Sequence, residues 1–100
     1  MRFTLTDLGD WDEDGRSALP PGSGQWVNGH RSGAVAALDF VCPCGCGKVR
    51  SVDVAIGGNK RHHVWNWNGD RERPTLSPSL DCLTGCRWHG WLTDGQFRSA

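Results

Sequence analysis

Between Val41 and Val49 the chain reads Val-Cys-Pro-Cys-Gly-Cys-Gly-Lys-Val, three cysteines on alternate positions with a proline and two glycines among them. A tetrahedral zinc holds each sulfur at about 2.3 Å, which leaves neighbouring sulfurs a little under about 4 Å apart. Residues two apart on a flat strand point the same way but stand farther apart than that, so the backbone has to curl for the thiols to converge. Gly45 and Gly47 permit the positive φ a curl needs, and Pro43 fixes φ at its entry. Such a turn is a zinc knuckle, and this chain has a reason to need one. It has 100 residues, of which 37% are hydrophobic and 14 are glycine. A chain of that size buries little more than about three-fifths of its unfolded surface, and domains with so small a core are commonly held by a metal or by disulfides.

A second cluster, Cys82-Leu-Thr-Gly-Cys86-Arg-Trp-His89, lies well downstream and offers a Cys-x-x-His spacing. The two clusters supply six candidate ligands for four places. Cys42, Cys44, Cys46 and Cys86 are taken as the metal set, with Cys82 and His89 as alternatives for the fourth position. Five cysteines cannot pair off completely as disulfides. The first residues carry Arg2 but no apolar run and no small-residue cleavage site, so no secretion signal is expected, and no segment has the roughly 18 apolar residues of a membrane span. A cytoplasmic location follows as an expectation, and there clustered thiols more often mean metal than disulfide. Buried free thiols, or a Cys82–Cys86 disulfide, are the alternatives. A metal set of this kind closes its shell with thiolates and reads as structural, whereas catalytic zinc keeps an open position.

Glycine and proline punctuation organises the rest into a single domain of residues 1–100. Arg2–Leu8 alternates as a short strand. Residues 9–24, acidic and then rich in Pro, Gly and Ser, read as a flexible loop. Its Asp-Trp-Asp-Glu-Asp-Gly run lacks the closing bidentate glutamate of a calcium loop and reads as a solvated turn. Ser32–Val41 reads as a buried strand leading into the cysteines, with a helical turn as the alternative because alanine is plentiful. Lys48–Ile56 sets Val52, Val54 and Ile56 on one face and Asp53 on the other. Arg61–Gly69 places His63, Trp65 and Trp67 on one face if extended. Pro74–Leu80 carries two prolines, which restricts it to an edge strand or an irregular extended piece. His89–Phe97 is a hairpin about an Asp94-Gly95 turn. No stretch shows a sustained period of 3.6. The fold class is therefore mainly β, a small zinc-stabilised sheet and hairpin fold with long loops.

Eleven basic residues balance eleven acidic ones, which removes the commonest support for nucleic-acid binding. Ser77 and Ser79 are the nucleophile candidates nearest to a histidine, His89, that is spare once four sulfurs close the metal shell. A serine needs such a base within hydrogen-bond reach, and no Gly-x-Ser-x-Gly elbow is present. Asp81 and Asp94 are candidates to orient His89. Of the six tryptophans, at least one of Trp65 and Trp67 is expected in the core, while Asn66 and Asn68 can offer hydrogen bonds to a peptide in a groove. Trp88 and Trp91 flank His89. His62 and His63 read as surface residues rather than ligands, and the sequence offers no evident partner for His30.

The ordered motifs Asp39–Val49, Val64–Leu80 and Cys86–Phe97 resemble a small family of bacterial and phage proteins long known as a domain of unknown function. Some members accompany the bacterial ubiquitin-like conjugation operons, the Bub systems, as a predicted serine peptidase acting on the ubiquitin-like protein's C-terminus. The likeness covers about residues 38–97. It implies Ser79 as nucleophile, His89 as general base, a zinc that braces the scaffold, and a peptide or ubiquitin-like tail as partner. It also implies a small serine hydrolase built on a Ser-His dyad. A non-enzymatic zinc-binding interaction module, with exposed tryptophans docking a partner, is the alternative from another class.

Overall fold

The computed structural model describes residues 1–9, 12–29, 35–57, 64–81 and 87–100. Among these residues there is no helix, and eight strands form one sheet in chain order: β1 (Thr4–Leu5), β2 (Ser23–Asn28), β3 (Val35–Val41), β4 (Val49–Ala55), β5 (Val64–Trp67), β6 (Leu76–Asp81), β7 (His89–Thr93) and β8 (Gln96–Ser99). The β1–β2 and β4–β5 pairs are parallel and the others antiparallel. The sheet curls until the residues ahead of β1 meet β8. Arg2 bridges Gln96, Phe3 N donates to Gly95 O at 2.8 Å, and Phe97 N donates to Met1 O at 2.6 Å.

The curl gathers one face of the strands into a core of Phe3, Leu38, Phe40, Cys42, Val54, Trp67, Leu76, Leu80, Trp88, Leu92 and Phe97, with Trp26 of β2 partly buried against it. Period-two alternation is clearest in β7, where Gly90 and Leu92 are buried and His89, Trp91 and Thr93 are exposed. Phe97 is the aromatic hub, with ring centroids 5.4 Å from Phe40, 6.1 Å from Trp88 and 6.3 Å from Phe3. Trp26 stacks on Trp67 at 4.5 Å. As expected, Trp67 is core. Trp65 is only partly buried against it.

Several expectations change in detail. The proline-bearing segment is not an edge, since β6 lies between β5 and β7, but it is the irregular extended piece that was the other expectation. It accommodates Pro78 because its ladder to β5 ends at Asn66↔Ser77 and its register with β7 shifts between Leu76 and Leu80. Ile56 is 74% exposed because β4 stops at Ala55, one residue short of carrying Ile56 onto the inner face. β2 was not foreseen; its Gly24–Asn28 stretch pairs with β3. The Asp94-Gly95 hairpin forms as expected, with φ of 48° and 73°, the double positive φ of a two-residue turn whose twist matches its strands.

Two loops are tied by their own acidic residues. Asp12 Oδ1 accepts the N–H groups of Asp14 and Arg16, which occupies that carboxylate locally. Asp70 Oδ1 accepts from Arg73 N and Glu72 N, each at 2.9 Å. Those bonds hold the Asp70 carboxyl below its ordinary pKa.

Gly90 on β7 has no room for a side chain. A Cβ there would drive into the Arg98 carbonyl and stand 2.6 Å from the Trp88 ring. Gly90→Ala is expected to cost about 3 kcal/mol, the upper range for overpacking, read as a lower urea midpoint at unchanged slope.

Candidate active site and metal centre

The cysteine turn joins β3 to β4. Cys42 N donates to Lys48 O at 2.8 Å and Gly45 N to Cys42 O at 3.2 Å, while Gly45 and Gly47 take φ of 90° and 82°. The curl foreseen from the glycines therefore exists, and it brings the thiols together. The Cys42 and Cys44 sulfurs are 3.4 Å apart, and those of Cys42, Cys44 and Cys46 all lie within 4.8 Å of one another. These spacings are far longer than a disulfide bond and near the sulfur separation on one tetrahedral ion. Backbone N–H groups donate to the sulfurs, Cys46 N to Cys44 Sγ at 3.3 Å and Lys48 N to Cys46 Sγ at 3.5 Å, which fixes where the sulfurs sit in the turn. Cys42 is buried and Cys44 exposed. Three converging thiol sulfurs can hold a metal ion.

The acidic loop docks on this turn. Ser17 N donates to Gly47 O, Val49 N donates to Gly15 O, and Arg16 bridges Lys48. Cys82 and Cys86 lie outside the described residues, as do His30, His62 and His63. Among the described residues the ligand group consists of the three cysteines, and His89 is not part of it.

Ser79 and His89 belong to adjacent strands. Leu80 pairs with Gly90 and Asp81 with His89; because Leu80, Gly90 and Leu92 are buried, Ser79, Asp81, His89 and Trp91 share the opposite face. Ser79 sits at the edge of the register shift, one residue from the Leu80↔Gly90 pair and two from Asp81, the partner of His89. Among the described residues no hydrogen bond joins their side chains; apo sites often hold such bonds long until substrate binds. Asp81 stands directly across from His89, whereas Asp94 occupies the turn at the far end of β7, its N–H held by Thr75 Oγ1 at 2.8 Å. The register thus separates two acids that the sequence left equivalent. Trp91 is 44% exposed, with its ring centroid 6.0 Å from that of His89. Trp88 is buried instead and donates its indole N–H to Ser99 Oγ at 2.9 Å.

The amides expected to face a peptide are engaged at home. Asn66 Oδ1 accepts from Gly57 N, and Asn68 Oδ1 accepts from Asp70 N and Thr75 N while its Nδ2 donates to Arg73 O. One contact had no counterpart in the sequence: Trp65 Nε1 donates to the Ser79 carbonyl at 3.2 Å. Strand parity predicted where the Trp65 ring faces, but not that it crosses to β6.

Among the described residues no helix is long and apolar enough to cross a membrane. Compared with known proteins, residues 12–100 match the model of a family described as bacterial ubiquitination-like system serine protease (BubE). No curated protein and no solved structure gives a match.

Proposed function

Because the chain belongs to the family of bacterial ubiquitination-like system serine proteases (BubE), we propose that it hydrolyses a peptide bond in the extended C-terminal tail of a ubiquitin-like protein or a similar peptide. Ser79 is the nucleophile and His89 the general base. The observation that supports these roles is the sharing of one sheet face by Ser79 and His89 on neighbouring strands, with Asp81 across from the histidine.

His89 Nε2 or Nδ1 takes the Ser79 hydroxyl proton as Oγ attacks the scissile carbonyl, and returns it to the departing amine. Water then repeats the sequence on the acyl-enzyme. Asp81 stabilises the imidazolium formed at each attack. Trp91, exposed beside the pair, gives the substrate chain an apolar wall. Cys42, Cys44 and Cys46, with Cys86 proposed as the fourth ligand, would hold zinc, which would supply structural bracing of the β3–β4 turn rather than chemistry on the substrate. Clustered thiols of this kind suit a reducing, cytoplasmic compartment, in bacteria or their phages. The balanced charge and the apolar wall favour a protein tail over nucleic acid or a membrane surface.

An alkyl fluorophosphonate tests this directly. The folded, zinc-loaded protein is expected to gain one adduct, located on Ser79 by peptide mass spectrometry and suppressed in His89→Ala. Absence of any adduct on the folded protein would overturn the hydrolase assignment. It would favour the non-enzymatic interaction module, in which Trp91 is simply a docking residue.

A further inference from the structure

We infer that Trp65 is a positioning residue for Ser79, its indole N–H acting as a strut that sets the direction of the Ser79 backbone. The inference rests on the nucleophile assignment proposed above.

β6 is poorly supported by main-chain ladders at the very point where that serine sits. On its β5 side the ladder comprises Asn66↔Ser77 and Trp67↔Leu76 and goes no farther. On its β7 side the register shifts between Leu76 and Leu80. Between those limits the Ser79 carbonyl is met by a side chain, the Trp65 indole at 3.2 Å. Continued pairing of β5 with β6 would have met that carbonyl with a backbone N–H. The indole reaches across in its place.

The strut is anchored at its other end. Trp65 packs against the core cluster, and its backbone is in register with Val54 of β4, itself 3% exposed. In a strand, the N–H and C=O of one residue project toward the same sheet edge and the side chain stands roughly perpendicular to them. Pulling the Ser79 carbonyl toward β5 therefore sets the axis about which its hydroxyl swings, on the face that carries His89. Other indoles of this fold tie loops or strand ends. Trp26 Nε1 donates to Arg71 O, Trp67 Nε1 to Asp70 O and Trp88 Nε1 to Ser99 Oγ. Trp65 alone among these is bonded to the residue that would react. Misplacement of a reacting group by about 1 Å can cost about 100-fold in rate, so loss of this single donor has room to act without unfolding the protein.

Trp65→Phe keeps an aromatic ring and removes the N–H. On a peptide-tail substrate its kcat is expected to fall about 10-fold or more, with KM within about twofold of the parent, and phosphonate labelling of Ser79 to slow in parallel; the scale follows from the misplacement cost. Val52→Ala, a core-packed change on β4, serves as the control for general destabilisation and is expected to leave kcat per folded molecule unchanged. A Trp65→Phe enzyme with kcat within about twofold of the parent would overturn the strut while Ser79→Ala remained inactive; an active Ser79→Ala would instead bring down the nucleophile assignment itself. Should Trp65→Phe fail to fold, the parent protein still decides. The Trp65 indole N–H is expected to exchange slowly with solvent by NMR and to shift on phosphonylation of Ser79. Exchange at the rate of a free indole would refute the bond.

Discussion

Ser79→Ala is expected to reduce cleavage of a peptide or ubiquitin-like tail by several orders of magnitude, toward the loss of about 10⁶-fold seen when a triad nucleophile is removed, while zinc content and thermal midpoint stay at parent values. The stability expectation follows from what Ser79 does in the fold. Its side chain is half-buried on the non-core face, and the bond it contributes to the structure, from Trp65, ends on its carbonyl rather than its hydroxyl. Alanine retains that carbonyl. His89→Ala should give a comparable loss of activity with metal retained, because His89 is exposed on β7 and stands apart from the sulfur group. Activity is read by mass spectrometry of the cleaved tail, metal by elemental analysis of the purified protein. A His89→Ala protein that loses its zinc would make the histidine a ligand and leave Ser79 without its base.

The second large effect concerns stability. Structural zinc contributes on the order of 10 kcal/mol or more to the folding of small metal domains, as much as the whole net stability of about 5–15 kcal/mol of an ordinary domain. The purified chain is expected to carry one zinc. A strong chelator should abolish its cooperative thermal transition, and added zinc should restore it. Cys42→Ser should behave like the chelated protein at any zinc concentration, since Cys42 is both a fully buried core residue and a proposed ligand. A metal-free protein that melts at the same temperature with and without chelator would remove zinc from the account of the fold.

Much of this architecture was legible in the residues, for reasons that differ by region. The β3–β4 turn could be read because glycines at alternate positions and a Cys-x-Cys-x-Cys spacing leave a backbone few ways to converge its sulfurs. The β7–β8 hairpin could be read because Asp94-Gly95 demands a turn with positive φ. By contrast, β2 was hidden by the glycine, serine and proline before it, and its Trp26-Val27 core was too short for periodicity to overcome them. The interior position of β6 was hidden because proline normally marks an edge; what admits it is the early end of the β5 ladder, a tertiary fact. The choice of Asp81 over Asp94 beside His89 needed the β6–β7 register, and no local signal carries register across the 82–88 segment. The link from Trp65 to Ser79 was likewise out of reach, being a side-chain bond across a gap between strands.

Closure of the curl has a kinetic consequence. Each ladder within the sheet joins strands that are consecutive in the chain, so those pairings can form by successive, comparatively short loop closures, the kind of topology that folds readily. The seam where Met1–Phe3 meet Gly95–Phe97 is different, since its amino-terminal hydrogen bond, Met1 to the Phe97 carbonyl, spans 96 positions. That seam is the step whose loop-closure entropy is greatest. It should be the last part of the molecule to zip up and the first to come apart.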